Sequence, residues 1–202
     1  MVNEIRRDYL LNRWVIMSPN RARKPTDIRS QPLDEEPPTK HCFFCPGNEK
    51  TTPPSFLLYI PSKGGIKEGR DPDDGRVKNW RVRCINNLYP AVTPRKERHL
   101  TAERLHLRKD AVGAHEIIIE SPKHNDHPHK ANLNQLELLI NIYRERLQSL
   151  SKWEYVSIFR NHKKEGGASL SHAHSQIIST SIIPNLILEE VKASKEYFLK
   201  NN

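Results

Sequence analysis

The sequence predicts an α+β protein built on a mostly antiparallel sheet, with helices packed on one face. Two observations carry this prediction. Short strand-like segments dominate the chain before residue 130, and one strong helical pattern, two further strands and a terminal helix follow them. Helices do not alternate regularly with strands, which argues against a doubly wound parallel sheet.

Trp14-Val15-Ile16-Met17 reads as a short strand. Residues 18–40 are rich in Pro, Arg, Asp and Glu and lack apolar periodicity, so they read as a long surface loop. Cys42-Phe43-Phe44-Cys45-Pro46-Gly47 makes a tight turn. Residues 56–60 form a strand, and 61–79, with several Gly and Asp, form another loop. The alternation over 80–85 predicts a strand running into Asn86-Asn87-Leu88-Tyr89-Pro90. Residues 115–120 read as a buried strand stopped by Ser121-Pro122.

The clearest helix spans 134–152. Leu133, Leu136, Leu139, Ile140, Tyr143, Leu147 and Leu150 recur at helical spacing, with Asn132 or Asn134 as N-cap. Strands follow at 155–160 and 176–182. Pro184-Asn185 opens a last helix over 186–199. Residues 1–184 are expected to form one domain. The helix within 185–202, with apolar Tyr197, Phe198 and Leu199, is expected to lead toward a second half.

The 202 residues suit one domain, and 36% apolar content supports a core. No stretch approaches the ~20 apolar residues of a membrane span. The N-terminus lacks an apolar signal region, so a cytoplasmic protein is expected. A net charge of +9 makes nucleic acid one possible partner. The basic residues alternate with acids and form no like-charge block, so a nucleotide or sugar phosphate fits as well.

Three cysteines argue against a disulfide framework. Cys42-x-x-Cys45 places two thiols on one turn, as a tetrahedral metal requires. A buried thiol pair or a redox motif has the same spacing. Further ligands would come from the ten histidines. Among them His41, His99, His106 and His162 read as surface residues, and His115 as a satisfied core histidine.

The stretch from Gly166 to Gln176, GGASLSHAHSQ, is the most informative. Its small residues form a loop whose backbone N–H groups can approach an anion. His172, His174 and Gln176 alternate onto one surface of an extended segment. One imidazole could attack phosphorus while neutral donors stabilise the non-bridging oxygens. The alternative reading makes both histidines metal ligands, and spacing does not separate the two.

His-x-His-x-Gln after a Gly-Ala-Ser loop resembles the galactose-1-phosphate uridylyltransferase branch of the histidine-triad superfamily. The similarity extends to residues 18–25, 42–47, 82–90 and 115–124. The related ADP-glucose phosphorylases share the framework. The resemblance implies a histidine-triad-like fold and a Zn2+ site of Cys42, Cys45, His124 and His172. It makes His174 the nucleophile, with Gln176, Ser169 and Asn161 on the phosphate. It puts Asn86 and Asn87 at the ribose, and Arg21 and Lys24 at the sugar phosphate. Glu190 falls near a second-metal ligand of some members. Ala173 stands where many uridylyltransferases carry Pro. His127-Pro128-His129 reproduces their His-Pro-His tripeptide without the following x-Gln, and is expected at the surface.

The implied reaction is ping-pong. His174 Nε2 attacks the α-phosphorus of a nucleotide-sugar such as UDP-glucose, and a sugar 1-phosphate later accepts the nucleotidyl group. Nδ1–H should donate to a backbone carbonyl that fixes the tautomer. A homodimer is expected. Phosphorolysis of ADP-glucose or a dinucleoside polyphosphate is the rival in the same class. A zinc-stabilised nucleic-acid-binding module is the rival in another class, though the chain lacks the aromatic-basic signature of an RNA-binding sheet and the spacing of a zinc finger. An inactive piece that keeps the zinc fold is a third reading.

Overall fold

The computed structural model describes residues 3–11, 13–25, 42–94, 101–103 and 106–201. Ten strands and two α-helices are present among these residues, arranged in two antiparallel sheets. The larger sheet contains β3 (Ser55–Ser62), β4 (Gly65–Gly69), β5 (Val82–Asn86), β8 (His115–Ile119), β9 (Tyr155–Phe159) and β10 (His174–Thr180), in the order β4-β3-β5-β8-β10-β9. The smaller sheet has the order β2-β1-β7-β6, from β1 (Glu4–Arg7), β2 (Trp14–Met17), β6 (Thr101–Glu103) and β7 (His106–Asp110).

The strand assignments at 14–17, 56–60, 80–85, 115–120, 155–160 and 176–182 match elements within a few residues. Three differences stand out. Residues 61–79 are not all loop, because β4 pairs with β3 as a hairpin from Leu58↔Gly69 to Ser62↔Gly65. Its short, Gly-flanked and charged sequence hides the pairing. The strands at Glu4–Arg7 and His106–Asp110 are as charged as the loops around them. Of the expected loop 18–40, Pro19–Arg23 form a short 3-10 helix, and 26–40 lie outside the described residues.

Helix α1 (Leu133–Ser149) begins at Asn132, whose side chain accepts the Gln135 N–H. Its buried face differs from the expected stripe. Leu139 and Ile142 are buried, whereas Leu133, Ile140 and Leu147 are exposed. The face includes polar Gln135, whose amide donates to the Glu120 carbonyl, and Arg146, which pairs with Glu116 at 2.8 Å. Buried polar groups with partners cost little, so the face tolerates residues that a hydrophobic pattern assigns to solvent. Helix α2 (Asn185–Asn201) buries no residue.

Strand alternation gives the large sheet two apolar faces. On one, Val82, Cys84, Ile118 and Ile177 pack against α1 through Leu139 and Ile142. On the other, Leu58, Ile85 and Ile119 pack with Phe44, Trp80 and the Cys42–Cys45 turn. The register places Arg83, Ile119 and His174 in one row across β5, β8 and β10, and Ile85, Ile117 and Gln176 in the next. The turn and its two cysteines therefore sit over the same face that presents His174 and Gln176.

Candidate active site and metal centre

The turn at Cys42 folds through local hydrogen bonds. Cys45 N–H donates to the Cys42 carbonyl at 3.3 Å, and Asn48 Nδ2 donates to the same oxygen at 2.8 Å. Phe44 N–H donates to Cys42 Sγ at 3.4 Å. Gly47 holds φ at +97°, a conformation that glycine adopts without steric cost. The buried Glu49 carboxylate accepts from Gly47 N–H and from Trp80 Nε1, both at 3.1 Å.

Four side chains from distant segments converge there. Cys42 Sγ and Cys45 Sγ each lie 3.5 Å from His172 Nδ1, and Cys45 Sγ lies 3.3 Å from His124 Nδ1. The four ligand atoms lie within 4.8 Å of one another and all four residues are buried. His172 Nε2 sits 2.9 Å from the Ser121 carbonyl, and His124 Nε2 sits 3.0 Å from Ser171 Oγ. A carbonyl only accepts, so His172 carries its proton on Nε2 and turns the Nδ1 lone pair toward the sulfurs. Burial pushes its pKa down to about 3, which keeps the ring neutral. Two thiols and two imidazoles at this spacing could hold a metal ion. Glu190 is exposed on α2, and the Cys42 group is the one such cluster among the described residues.

Beside the cluster, His174 opens β10. Its Nδ1 lies 2.7 Å from the His172 carbonyl, so Nδ1–H donates and Nε2 carries the lone pair. Phe44 stands edge-on to both rings, 6.0 Å from His172 and 5.3 Å from His174.

His174 lines a cleft of about 390 Å3. Arg21, Lys24, Asn87, Ser169 and Gln176, all expected at the site, line the same cleft. Burial lowers the pKa of Arg21 and of Lys24, and Arg21 donates to the Tyr89 carbonyl at 2.9 Å. Phe43, Phe44, Leu88 and Leu170 add apolar walls, and Thr51 and Thr52 also line the cleft.

Two expected residues are placed elsewhere. Asn86 is exposed at the end of β5, outside the lining. Asn161 also lies outside it, and its Nδ2 donates to the Gly167 carbonyl at 3.4 Å within the glycine loop. His127 is half-buried rather than freely exposed, with its Nδ1 2.7 Å from an Arg160 guanidinium nitrogen. His129 is exposed nearby, and the rings of His127 and His162 meet edge-on at 4.8 Å. His41 and His99 lie outside the described residues, as does the side chain of His106.

The structure adds residues that sequence reasoning missed. Phe43 and Phe44 were within reach, since they lie between the two cysteines. His115 was not, because its contacts with Asn87 and Gln176 depend on how three strands pair.

The fold and site together define an α+β chain of histidine-triad-like architecture, with a Cys2His2 cluster beside a histidine-bearing cleft. The chain belongs to the galactose-1-phosphate uridyl transferase family, matching its N-terminal domain over residues 80–184. It is 32% identical to the ADP-glucose phosphorylase of Arabidopsis thaliana over 201 residues, covering 96% of this chain and 53% of that protein. It is 27% identical to the galactose-1-phosphate uridylyltransferase of Haemophilus influenzae over 196 residues, covering 95% and 51%. A solved uridylyltransferase structure superposes with a TM-score of 0.66 at 28% identity, covering 98% of this chain and 52% of that one. The chain thus spans about half the length of the relatives it matches.

Proposed function

We propose that this chain is the nucleophile-bearing part of a nucleotidyltransferase. Its donor is a nucleoside diphosphate hexose, UDP-glucose on the first reading, and its acceptor is a hexose 1-phosphate such as galactose 1-phosphate. One observation carries the proposal: the Nδ1–H of His174 is engaged by a fixed backbone carbonyl at 2.7 Å, in a cleft that also holds Gln176, Ser169, Arg21 and Lys24. That bond leaves Nε2 as the nucleophilic nitrogen.

In the first half-reaction, the Nε2 lone pair forms a bond to the α-phosphorus. The bond from that phosphorus to the bridging oxygen breaks, and hexose 1-phosphate leaves with the electron pair. Gln176 and Ser169 would donate to the non-bridging oxygens, and Arg21 and Lys24 would hold the departing phosphate. In the second half-reaction, a phosphate oxygen of the acceptor attacks the same phosphorus and His174 leaves as neutral imidazole.

Cys42, Cys45, His124 and His172 would hold Zn2+, whose thiolate and imidazole ligands these are. Four protein ligands close the coordination sphere, so the ion would serve structure rather than polarise substrate. Residues 1–184 would be the catalytic domain and 185–202 the helix toward a second half. A cytoplasmic homodimer belongs to the same reading, checked by fractionation and light scattering.

A second reading has adenylyl in place of uridylyl transfer, with ADP-glucose as donor and inorganic phosphate as acceptor. The 32% identity to an ADP-glucose phosphorylase favours it. Incubation with UDP-glucose or ADP-glucose, followed by intact-protein mass measurement, tests both. The expected result is one uridylyl or adenylyl group on wild-type protein and none on His174→Ala. No adduct with either donor would sink the proposal.

A further inference from the structure

Gln176 can serve a phosphate only if its amide nitrogen, not its oxygen, faces the cleft. The two ends of a carboxamide are nearly equal in shape, so a neighbour must set the orientation. That neighbour is His115, 4% exposed at the start of β8.

The ring's own protonation is fixed first. His115 Nδ1 lies 2.9 Å from the backbone nitrogen of Ala91. A backbone N–H can only donate, so Nδ1 accepts and the proton of the neutral ring resides on Nε2. Burial holds the pKa down at about 4, although the bond to Gln176 opposes this, so the ring is neutral near pH 7.

His115 Nε2 lies 3.0 Å from Gln176 Oε1. Nε2–H therefore donates to that oxygen, which turns the Gln176 NH2 group away from the ring. A second amide meets the same ring nitrogen. Asn87 Nδ2 lies 3.0 Å from Nε2, and Asn87 Oδ1 accepts the Tyr89 N–H at 2.8 Å. A protonated Nε2 cannot accept from Asn87, so the Asn87 NH2 keeps its protons for another acceptor. Asn87 and Gln176 both line the cleft.

We propose that His115 is a positioning residue that sets the Gln176 amide to present its N–H donors to the nucleotidyl group. It touches no reacting atom itself. The proposal rests on the nucleotidyl-transfer reading above. It explains why a buried histidine, satisfied on both ring nitrogens, stands where an apolar residue would fill the core.

The test compares the rate of His174 nucleotidylation in wild type, His115→Phe, His115→Gln, Gln176→Ala and the double variant His115→Phe/Gln176→Ala. His115→Phe should slow the reaction roughly 100-fold, the order seen on loss of one transition-state donor. Gln176→Ala should match it, and the double variant should be no slower than Gln176→Ala. His115→Gln, whose amide can still donate to Gln176 Oε1, should recover about tenfold, leaving a loss of about tenfold. Losses that multiply in the double variant would overturn the proposal while leaving nucleotidyl transfer intact. An absent adduct in wild type would overturn both.

A second measurement needs neither chemistry nor a variant. Nitrogen-15 correlation spectra of the ring at pH 7 should show the His115 proton on Nε2, and a proton on Nδ1 would overturn the proposal even if His115→Phe fails to fold. Metal content and melting temperature of each variant separate slowed chemistry from lost structure.

Discussion

The backbone carbonyl of His172 accepts the Nδ1 proton of His174 at 2.7 Å, while the ring of His172 turns its Nδ1 to Cys42 and Cys45 at 3.5 Å. One residue thus belongs to the Cys2His2 cluster by its side chain and holds the His174 ring by its main chain. Tethering the ring of His172 fixes the carbonyl that selects the tautomer of His174.

Substitutions at the two histidines should therefore separate cleanly. His174→Ala should lower nucleotidylation by at least ~1,000-fold, as expected for loss of a covalent nucleophile, with metal content unchanged. His172→Ala should lose both metal and adduct formation, since it removes a ligand and loosens the carbonyl. Elemental analysis alongside intact mass checks this. Metal loss in His174→Ala would assign that ring to the ion instead.

Chelation should destabilise the chain without any change of sequence. The four ligands come from the turn at Cys42 and Cys45, the segment after β8 and the segment before β10, so the ion would cross-link parts far apart in sequence. Stripping it should lower the melting temperature by roughly 10 °C, given about 2–4 °C per kcal/mol at this size. Zn2+ should restore the transition and Mg2+ should not, because thiolate and imidazole ligands select the softer ion. Differential scanning calorimetry before and after dialysis reads this out.

The residues of the cluster and cleft were more legible in the sequence than the pairing of the strands that gathers them. Cys42-x-x-Cys45 and His172-x-His174 announce themselves by spacing, and Gln176 follows on the alternation of β10. His115 reads as an ordinary core histidine, because its link to Gln176 depends on β8 and β10 pairing in one register, with Ile117 opposite Gln176. Helix α1 was legible in extent but not in rotation, since Gln135 and Arg146 face inward with partners. Asn86 and Asn87 look equivalent in sequence, yet strand geometry turns only Asn87 toward the cleft.

That last difference is testable. Asn87→Ala and Ser169→Ala should each slow nucleotidylation by roughly tenfold or more, because each would remove a donor from the cleft. Asn86→Ala should change it less than about twofold, as surface substitutions commonly do. Stopped-flow mixing followed by quench and mass measurement distinguishes these sizes. An Asn86→Ala effect as large as that of Asn87→Ala would show that the exposed residue reaches the substrate after all.

Acid should weaken the fold through His115. Its folded pKa, about 4, lies below the ordinary 6.5 because burial disfavours the imidazolium. The unfolded chain therefore binds the proton first, and stability is lost as pH falls from about 6.5 to about 4. The full interval corresponds to roughly 3 kcal/mol. Burial lowers the pKa of His172 in the same direction, so the informative quantity is a difference. Urea denaturation of wild type between pH 7 and pH 5 should show a steeper fall than that of His115→Gln. Equal slopes would mean that His115 takes up its proton as readily in the folded protein as in the unfolded chain.

Behind the cysteine turn, Arg83 and Asp71 form a fully buried ion pair at 3.3 Å. Arg83 also reaches Ser55 Oγ at 2.9 Å and Thr52 Oγ1 at 3.3 Å. Burial would raise the Asp71 pKa, but the N–H groups of Ser55 and Val77 together with Arg83 hold it below 3.8. Asp71→Ala leaves the guanidinium buried beside no carboxylate of its own, a change that costs roughly 3–5 kcal/mol. At about 2–4 °C per kcal/mol, the melting temperature should fall by roughly 10 °C or more. Asp71→Asn keeps an acceptor but not the charge, so it should lie between Asp71→Ala and wild type. Thr51 and Thr52 line the cleft and end the helical turn that begins at Glu49, so the loosened pair should also speed metal release to a colorimetric chelator. An Asp71→Ala protein that melts like wild type would show that the pair contributes specificity of packing rather than stability.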